Sequence, residues 1–359
     1  MVNKYNFKLY KEFNSSLKLE WESIEEEIKY SPFQSFEWLS HWYNTVGIKI
    51  INYELFIIVI KFNDKVTDIF PLCVKKKNFI KILEWIGGVN TDYMSSIHTS
   101  DSVVTSKLYT KKNIWSIIKK NIGNFDLVYL EKQPDYFNKE VNFFLNFFIK
   151  KKSIPSYKAL FRSDWDSYKT NFISKKILSD NKRQLKRLNS FGKLEFIIPE
   201  TDNEKQNIIN EMIYHKKKQY DLGNYNMFDK LEYEKLYKNC KYTLGRYGKV
   251  HISCLKLNSK IIASHWGLIS NDTFYYLMPA YNDRDWGKYS PGNILLEFLM
   301  EWSNKNNIKN FDFTDGYAKY KEQWSNKKIF LYDTFYPVSI KGVIYTFLKN
   351  IRDLLKFKF

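Results

Sequence analysis

A glycine-bearing turn opens a helix-like stretch in RDWGKYSPGN, which runs from Arg284 to Asn293. The backbone N–H groups at a helix start are unpaired and lie at the positive end of the helix dipole, so they bind anions. Ser290 can cap such a helix, and Pro291 suits its first position, where no N–H partner is needed. The residues that we predict to hold a phosphate or pyrophosphate are Arg284, Gly287, Lys288, Ser290, Gly292 and Asn293. An ordinary Ser-Pro helix start is the alternative explanation.

A histidine on a strand-like segment is a candidate base. In IIASHWGLI, residues alternate sides, so His265 shares a face with Ala263 and Gly267. Two small neighbours predict open space around the imidazole, whose ordinary pKa of about 6.5 suits proton transfer near neutral pH. The alternative is a core histidine that is hydrogen-bonded to the backbone.

An aspartate lies on the strand pattern NFDFTDG. Phe311 and Phe313 face one side of this strand, and Asp312 faces the other. Because a carboxylate is costly to bury without a partner, Asp312 is a candidate to orient His265, to position an amine or to act as the base. A structural salt bridge with Lys321 or an arginine is the alternative.

The segment YAKYKEQW has nearly helical spacing. Tyr317, Lys321 and Trp324 lie at positions i, i+4 and i+7, so one helix face presents a phenol, an ammonium and an indole. That face suits a sugar or a phosphate in a cleft. An exposed amphipathic helix explains the same spacing.

The surrounding elements predict a mixed α+β fold. HISCLKL, IIASHWGLI and TFYYLMPAY are separated by short turns and predict an antiparallel meander, which a helix and then the strand NFDFTDG follow. The first half also mixes strands with helices, and a polar bend near Pro155 ends it. We predict one domain at 1–155, a second at 156–340, and a basic amphipathic C-terminal helix at 341–359.

Composition and charge limit the partners. The chain has 359 residues, of which 44% are hydrophobic, and its formal net charge is +18. This charge favours nucleic acid, acidic lipid or phosphorylated small molecules as partners, unless it reflects only a lysine-rich surface. The odd cysteine count, three, without a CxxC pair predicts a reducing cytoplasm and no disulfide. No signal-peptide core, membrane-spanning run or metal-ligand cluster stands out in the sequence.

The order of meander, glycine-bearing helix start, helix and strand resembles the core of the GNAT acyltransferases. Arg284-Asp285-Trp286-Gly287 is similar to the first four positions of their pyrophosphate loop, Gln/Arg-x-x-Gly-x-Gly/Ala, although the last glycine is displaced here. A narrower resemblance is to the CelD-like, FemAB-like branch of these proteins. The residues that carry it are Ala263, His265, Ser290, Pro291, Gly292, Phe311, Asp312, Phe313, Tyr320, Lys321 and Trp324.

The resemblance implies two GNAT-like halves, each a mostly antiparallel sheet flanked by helices, with the active cleft between them. It implies acyl-CoA, most often acetyl-CoA, as co-substrate, with the sheet opened at Pro279 to admit the pantetheine arm. It also implies that Tyr317 or Tyr320 protonates the departing thiolate, and that Asp92 and Tyr93 reach the cleft, although a polar turn explains the latter two equally well. The resulting catalytic candidates are His265, Asp312 and Tyr317, and the substrate-binding candidates are Asp92, Tyr93, Tyr320, Lys321 and Trp324.

Three functions therefore compete. The first is an acyl-CoA-dependent N-acyltransferase for a small anionic acceptor, for example an amino sugar or a nucleotide-activated sugar of surface polysaccharide. The second is a FemAB-type ligase that takes amino acids from tRNA for peptidoglycan precursors, although the long helical-hairpin insertion of such enzymes is missing. The third is a non-catalytic basic module that binds nucleic acid or a membrane, although no nucleic-acid-binding motif in the sequence supports it. The C-terminal helix packs on the protein body or lies on the inner membrane surface.

Overall fold

The computed structural model describes residues 5–25, 27–28, 31–105, 109–137, 140–220, 226–246 and 248–356. The chain divides into two compact units. The first unit consists of residues 1–154 and 330–359, and the second unit consists of residues 155–329. Within the described residues, no helix is long and apolar enough to cross a membrane.

The elements of the first half of the chain are β1 (Tyr5–Tyr10), α1 (Ser15–Glu25), α2 (Phe36–Thr45), β2 (Tyr53–Phe62), β3 (Lys65–Lys77), β4 (Ile80–Trp85), β5 (Ile97–His98), α3 (Lys111–Ile122), β6 (Leu127–Pro134), β7 (Tyr136–Phe137), β8 (Glu140–Val141), α4 (Phe143–Phe147) and β9 (Lys150–Leu160). Those of the second half are α5 (Trp165–Phe172), α6 (Lys175–Asn189), β10 (Leu194–Ile197), α7 (Asp202–Tyr220), α8 (Leu231–Lys238), β11 (Thr243–Leu244), β12 (Gly248–Leu257), β13 (Lys260–Ser270), β14 (Thr273–Tyr281), α9 (Asp283–Trp286), α10 (Pro291–Lys305), β15 (Asn310–Asp315), α11 (Lys319–Trp324), β16 (Lys327–Pro337) and α12 (Ile340–Lys356).

The sheet of the first unit has the strand order β1-β2-β3-β4-β6-β16. All neighbouring pairs are antiparallel except β4 and β6, which run parallel at Ile82 and Leu83. One face of this sheet carries the main core, in which Ile114 and Ile118 of α3 pack with Phe70, Phe143 and Phe144. Asn63 and Asp64, both with a left-handed backbone, form the turn between β2 and β3.

The sheet of the second unit has the strand order β9-β15-β14-β13-β12-β10. Its only parallel pair in the described sheet is β14 with β15, and the meander predicted from the sequence is β12-β13-β14. Asn258 and Asn271 close the two hairpins with a left-handed backbone, at a φ of 54° in each case. Each unit is thus a mostly antiparallel mixed sheet flanked by helices, and the predicted fold class is confirmed.

Helices cover both faces of the second sheet. Ile294 and Leu299 of α10 pack with Phe274 and Phe311 in one large cluster. Helix α7 contacts β12, β13 and β14, but its buried residues, Met212 among them, lie outside that cluster. The two helices therefore lie on opposite faces of the sheet.

The end of the chain corrects the predicted domain boundaries. We expected residues 156–340 to belong to the second domain, but Leu331–Pro337 of β16 pair with β6, which places residues from 330 onward in the first unit. Backbone hydrogen bonding with a strand far away in the sequence decided this, and the sequence pattern indicates neighbouring strands only where a short turn joins them. The C-terminal helix also belongs to the first unit as α12. The side chains after residue 349 of this predicted amphipathic helix lie outside the described part of the structure.

Candidate functional site

Two strands of the second unit separate at the middle of β14. β14 pairs with β15 only at Thr273, Phe274 and Tyr275, and it then continues to Tyr281. On its other edge, β14 follows β13 through a bulge, where Trp266 pairs with Met278 and Gly267 with Tyr276. A bulge bends the strand that carries it, so the distal half of β14 diverges from β15.

A cavity of about 300 Å³ lies at this divergence, and we call it the strand-opening cavity. Helix α7 contributes Lys216 and Gln219 from one face of the sheet, and helix α10 contributes from the other. The full lining is Lys216, Gln219, Tyr276, Pro279, Tyr281, Gly287, Ser290, Gly292, Asn293, Leu296 and Tyr320. Of the residues predicted to bind cofactor, Pro279, Gly287, Ser290, Gly292 and Asn293 are therefore brought together.

The start of α10 forms one wall of the strand-opening cavity. Ser290 has a left-handed backbone with a φ of 52°, Pro291 takes the first helical position, and the carbonyl of Ser290 accepts the N–H of Asn293 at 3.1 Å. A Cβ on Gly292 would lie 3.1 Å from the ring of Tyr281. Glycine thus lets the helix start approach the aromatic ring of β14, which differs from the open backbone that we predicted for a phosphate.

The two cations of the predicted phosphate loop do not line the strand-opening cavity. Residues 283–289 fold into the short helix α9 and a helical turn, so Arg284 lines a neighbouring cavity of about 540 Å³. Lys288 is exposed, with its Nζ 5.1 Å from the centre of the Tyr289 ring. Gln219 and Tyr281 line both cavities, so the two adjoin.

Lys216 is the cationic residue in the described lining of the strand-opening cavity. Its Nζ donates a hydrogen bond to the carbonyl of Pro279 at 2.9 Å, and Gln219 Nε2 donates to the carbonyl of Tyr281 at 3.3 Å. Burial, together with the nearby charge of Lys321, lowers the pKa of Lys216 to about 8. Sequence reasoning missed Lys216, because in the run of three lysines in α7 nothing distinguishes it from Lys217, which pairs with Glu234.

Of the two candidate tyrosines, Tyr320 reaches the cavity and Tyr317 does not. Tyr317 is 67% exposed. Tyr320 lines the cavity beside Tyr276, with 6.3 Å between ring centres, and burial raises its pKa, so the phenol keeps its proton. The geometry therefore favours Tyr320 as a proton donor.

The predicted helix face of Tyr317, Lys321 and Trp324 is not formed. Helix α11 begins only at Lys319, because Gly316 is left-handed with a φ of 89° and Ala318 is extended. Trp324 is buried in the core, and Lys321 Nζ donates to the carbonyl of Asp315. Without a helix through Tyr317, the three side chains have no common face.

His265 lies in the aromatic core and not on the lining of the cavity. Its ring stacks on Tyr276 at 4.5 Å between centres with an interplanar angle of 6°, and it also stacks on Phe274. The open space predicted beside Gly267 is filled, because a Cβ there would collide with the imidazole itself. Neither ring nitrogen has a hydrogen-bond partner among the described residues, and burial holds the pKa of His265 well below its usual range. A histidine in this setting is neutral.

Asp312 is fully buried on the other face of its strand. Its Oδ2 lies 2.8 Å from Nζ of Lys158 on β9, and its Oδ1 accepts the N–H of Thr314 at 2.8 Å. Phe311 packs on the same aromatic cluster as His265, so alternation turns Asp312 away from the imidazole. An orienting contact with His265 is therefore excluded, and the salt bridge that we considered as an alternative is present with Lys158 in place of Lys321.

Asp92 and Tyr93 belong to a buried loop of the first unit. The carbonyl of Tyr93 accepts from Gln34 Nε2, and Asp92 Oδ1 lies 3.4 Å from Lys132 Nζ. Both side chains are thus embedded in their own unit. In the described parts of both units, no group of His, Cys, Asp and Glu is arranged to hold a metal ion, and all three cysteines are buried and free of disulfides.

One known family matches most of the second unit. The family model for the acetyltransferase (GNAT) domain matches residues 175–322. This range contains the meander, the strand-opening cavity and helix α10. No curated protein matches the sequence.

Solved structures share the fold over most of the chain at low sequence identity. FemX is 10% identical, with a TM-score of 0.59, and the match covers 88% of this chain and 95% of that one. L-PGS from Bacillus licheniformis is 14% identical, with a TM-score of 0.53 and coverage of 95% and 98%. A tandem GNAT protein from the clavulanic acid biosynthesis pathway is 7% identical, with a TM-score of 0.51 and coverage of 93% and 98%. Residues 175–322 are therefore similar to the acetyltransferase (GNAT) domain family, and the chain as a whole shares the GNAT-like fold of FemX and of the tandem GNAT protein.

Proposed function

We propose that the chain transfers an acyl group from acyl-CoA, in the first place acetyl-CoA, to the amino group of a small anionic acceptor. The observation that carries this proposal is the strand-opening cavity. Residues from both faces of the sheet line this cavity. The start of α10 suits the phosphates and pantetheine arm on one face, and α7 leaves the other face for the acceptor. Arg284 in the adjoining cavity is a cation for the distal phosphates.

Two side chains of the cavity carry out the proton transfers, Lys216 at the acceptor and Tyr320 at the thiolate. Because the pKa of Lys216 is about 8, a fraction of the molecules carries a neutral amine at this position. This amine takes the proton of the acceptor ammonium. The neutral nitrogen attacks the thioester carbonyl carbon, and the C–N bond forms as the C–S bond breaks. Tyr320 gives its proton to the thiolate and recovers one from the new amide nitrogen, so an N-acyl product and a free thiol leave.

His265 and Asp312 have positioning roles in this proposal and do not transfer protons. His265 supports Tyr276, on which it stacks, and Tyr276 lines the cavity. Asp312 ties β15 to β9 through Lys158. An amino sugar or nucleotide-activated sugar of surface polysaccharide fits the anionic acceptor class and the basic chain. This choice of acceptor rests on the net charge and on family likeness.

The donor site is tested by thermal stability with and without CoA and acetyl-CoA. Ligand at 100 times its dissociation constant adds about 2.7 kcal/mol to the free energy of unfolding. Asn293→Asp should abolish this gain, because it adds a negative charge to the cavity wall. An aspartate in the first turn also favours the helix, so the fold is kept. Asn203→Asp makes the same change in the exposed first turn of α7 and should keep the gain.

A ligase that uses aminoacyl-tRNA is the second candidate, and the fold shared with FemX supports it. The same stability measurement separates the two functions. No gain with either CoA ligand at millimolar concentration, together with a gain on adding aminoacyl-tRNA, would replace the first proposal by the second. A gain lost equally in both asparagine variants would reject the assignment of the donor to the start of α10.

The exposed apolar face of helix α12 supports a location of the protein at the inner surface of a membrane. The helix is anchored through Ser339, whose Oγ donates to Asp126 Oδ1 at 2.6 Å, and through Gly342, which lies against the backbone of Asp126. The opposite side of the helix exposes Ile340, Val343, Ile344, Phe347 and Leu348. An apolar helix face left open to water indicates a partner.

Charge favours anionic lipid over a second copy of the chain as that partner. Phe79, in the hairpin between β3 and β4, packs edge-on against Tyr345 of α12. This places two exposed lysines of the hairpin near the helix: Lys77 lines the same cavity as Tyr345, and the N–H of Lys81 donates to Asp126 Oδ2 beside the helix start. A second copy would bring like charges together, whereas each lysine near an anionic bilayer contributes about 1 kcal/mol to binding.

A further inference from the structure

The first unit has a cavity of its own, of about 410 Å³, on the sheet face opposite its main core. We call it the first-unit cavity. Its floor is formed by β3, β4, β6 and β16, and α12 closes one side. The lining residues are Lys75, Lys77, Ile82, Glu84, Gly88, Val89, Met94, Leu127, Tyr129, Glu131, Lys132, Phe335, Tyr345 and Lys349.

The pairing of β3 with β4 places residues of both charge signs on the floor of this cavity. Cys73 pairs with Glu84 and Lys75 with Ile82, so Lys75, Lys77 and Glu84 share one face of the sheet. Neither lysine forms an ion pair with a described residue. Two ammonium groups that project from one strand at a spacing of two residues can hold one anionic group between them.

A carboxyl group in the cavity lacks a partner. Glu84 is half-buried, and its carboxylate has no hydrogen bond or ion pair within the described part of the chain. Burial raises the pKa of Glu84 to about 7, although the charges of Lys75 and Lys77 act in the opposite direction. A buried carboxylate that is left in this state gains from a ligand that supplies a hydrogen-bond donor, above all a cationic one.

A bulge brings two further charged residues into the lining. Leu130 pairs with Thr334 and Gln133 with Tyr332, so Glu131 and Lys132 together oppose Asp333. Lys132 has a left-handed backbone with a φ of 54°, which is unfavourable for a lysine, and its N–H donates to Asp333 Oδ1 at 3.1 Å. Bulges of this kind re-aim side chains next to sites, and here both Glu131 and Lys132 reach the cavity.

We propose that the first-unit cavity binds a small molecule that carries both an amino group and an anionic phosphate or carboxylate group. Glu84 and Glu131 receive the amino group, and Lys75 and Lys77 hold the anion. Tyr129 and Phe335, whose ring centres lie 5.4 Å apart, form the aromatic part of the floor. Lys349 Nζ lies over both rings, and the Tyr129 hydroxyl donates to Glu131 Oε1 at 2.5 Å. The proposal stands on the geometry of the first unit and does not depend on acyl transfer in the second.

Three related compounds test the amino group and the anionic group of such a ligand separately. Their affinities are compared by calorimetric titration. Glucosamine 6-phosphate has both groups, glucose 6-phosphate lacks the amino group, and glucosamine lacks the phosphate. We expect glucosamine 6-phosphate to bind at least tenfold more tightly than either of the others. Equal affinity for all three, or no binding of glucosamine 6-phosphate at 10 mM, would overturn the proposal.

Two variants locate the binding in this cavity. Glu84→Gln should weaken glucosamine 6-phosphate about tenfold and leave glucose 6-phosphate unchanged, because only the carboxylate charge is lost. Lys77→Gln should weaken both phosphates. Lys76→Gln is the matched control, since it removes the same charge from the opposite face of β3. If Glu84→Gln changes the affinity for glucosamine 6-phosphate by less than twofold, the ligand binds elsewhere. The same conclusion follows if Lys76→Gln reduces the affinity as much as Lys77→Gln does.

The pH dependence gives an independent readout. The charged or titratable groups that face Glu84 are Tyr53 of β2, Cys73, Lys75 and Lys77 of β3, Tyr129, Glu131 and Lys132 of β6, and Tyr345 and Lys349 of α12. As pH falls from 8 to 6, Glu84 is protonated and its attraction for an ammonium is lost. The affinity ratio of the wild type to Glu84→Gln for glucosamine 6-phosphate should therefore fall, because titration of the ligand's own amino and phosphate groups is common to both proteins. A ratio of wild type to variant that is independent of pH would contradict the assignment of Glu84.

Discussion

Replacement of Lys216 by methionine gives a prediction that needs no knowledge of the acceptor. Burial lowers the pKa of Lys216 from 10.5 to about 8, a difference that corresponds to about 3 kcal/mol of free energy. Since the unfolded chain binds this proton more tightly, the ammonium form destabilises the folded state by that amount below pH 8. The penalty decreases between pH 8 and 10.5, and it is absent at higher pH.

Methionine fills a similar volume without a charge, but it leaves the carbonyl of Pro279 without its 2.9 Å hydrogen bond. That loss costs about 1 kcal/mol. We therefore expect Lys216→Met to raise the free energy of unfolding at pH 7.5 by about 2 kcal/mol, the penalty of about 3 less the lost hydrogen bond. By pH 10 the advantage should decrease by about 2 kcal/mol and vanish.

The assay is urea unfolding of the wild type and the variant at pH 7.5 and pH 10, followed by circular dichroism. Groups other than Lys216 cancel in the difference between the two proteins at each pH. Lys217→Met is the control, because Lys217 lies at the surface and pairs with Glu234. A stability difference for Lys216→Met that is the same at both pH values would refute the burial of the ammonium, and with it the assignment of Lys216 as the base.

Three further predictions concern the two units. Tyr320→Phe should reduce thiol release from acetyl-CoA, with glucosamine 6-phosphate as acceptor, by at least tenfold, whereas Tyr317→Phe should leave it unchanged; equal rates in both would remove Tyr320 from proton donation. Asp312→Asn breaks a buried ion pair and should lower the free energy of unfolding by about 3 kcal/mol, as measured by urea unfolding, and a loss below 1 kcal/mol would show that the pair is solvated. Phe347→Ser should abolish co-sedimentation with vesicles of phosphatidylcholine and phosphatidylglycerol at 7:3, while Ile149→Ser, at an exposed apolar residue outside α12, should not. Failure of the wild type to bind these vesicles, or a dimer that Phe347→Ser dissociates, would exclude the membrane as the partner of α12.

The sequence predicted local elements well, because their signals are local. The Asn-containing turns at Asn258 and Asn271 lie between alternating apolar segments, and those segments form the meander β12-β13-β14. The start of α10 at Ser290 and Pro291 was also predicted. The GNAT resemblance that rests on these motifs agrees with the family match over residues 175–322.

The roles of individual side chains could not be predicted in the same way. Alternation placed His265 and Asp312 on the correct faces of their strands. It could not show that the imidazole itself fills the space beside Gly267, or that Lys158 of a distant strand neutralises Asp312. Helical spacing placed Tyr317 on one face with Lys321 and Trp324, but the left-handed Gly316 delays the helix. These outcomes depend on neighbours from other parts of the chain.

The sequence by itself determined the order of strands and helices, the basic charge and the glycine-bearing start of α10. Only the tertiary structure decided which cations surround a cavity. Lys216 and Lys217 are adjacent in sequence, yet one is buried against Pro279 with a lowered pKa and the other forms a surface ion pair. The physical reason is that desolvation and charge coupling act through space, so identical residues acquire different chemistry from the elements packed around them.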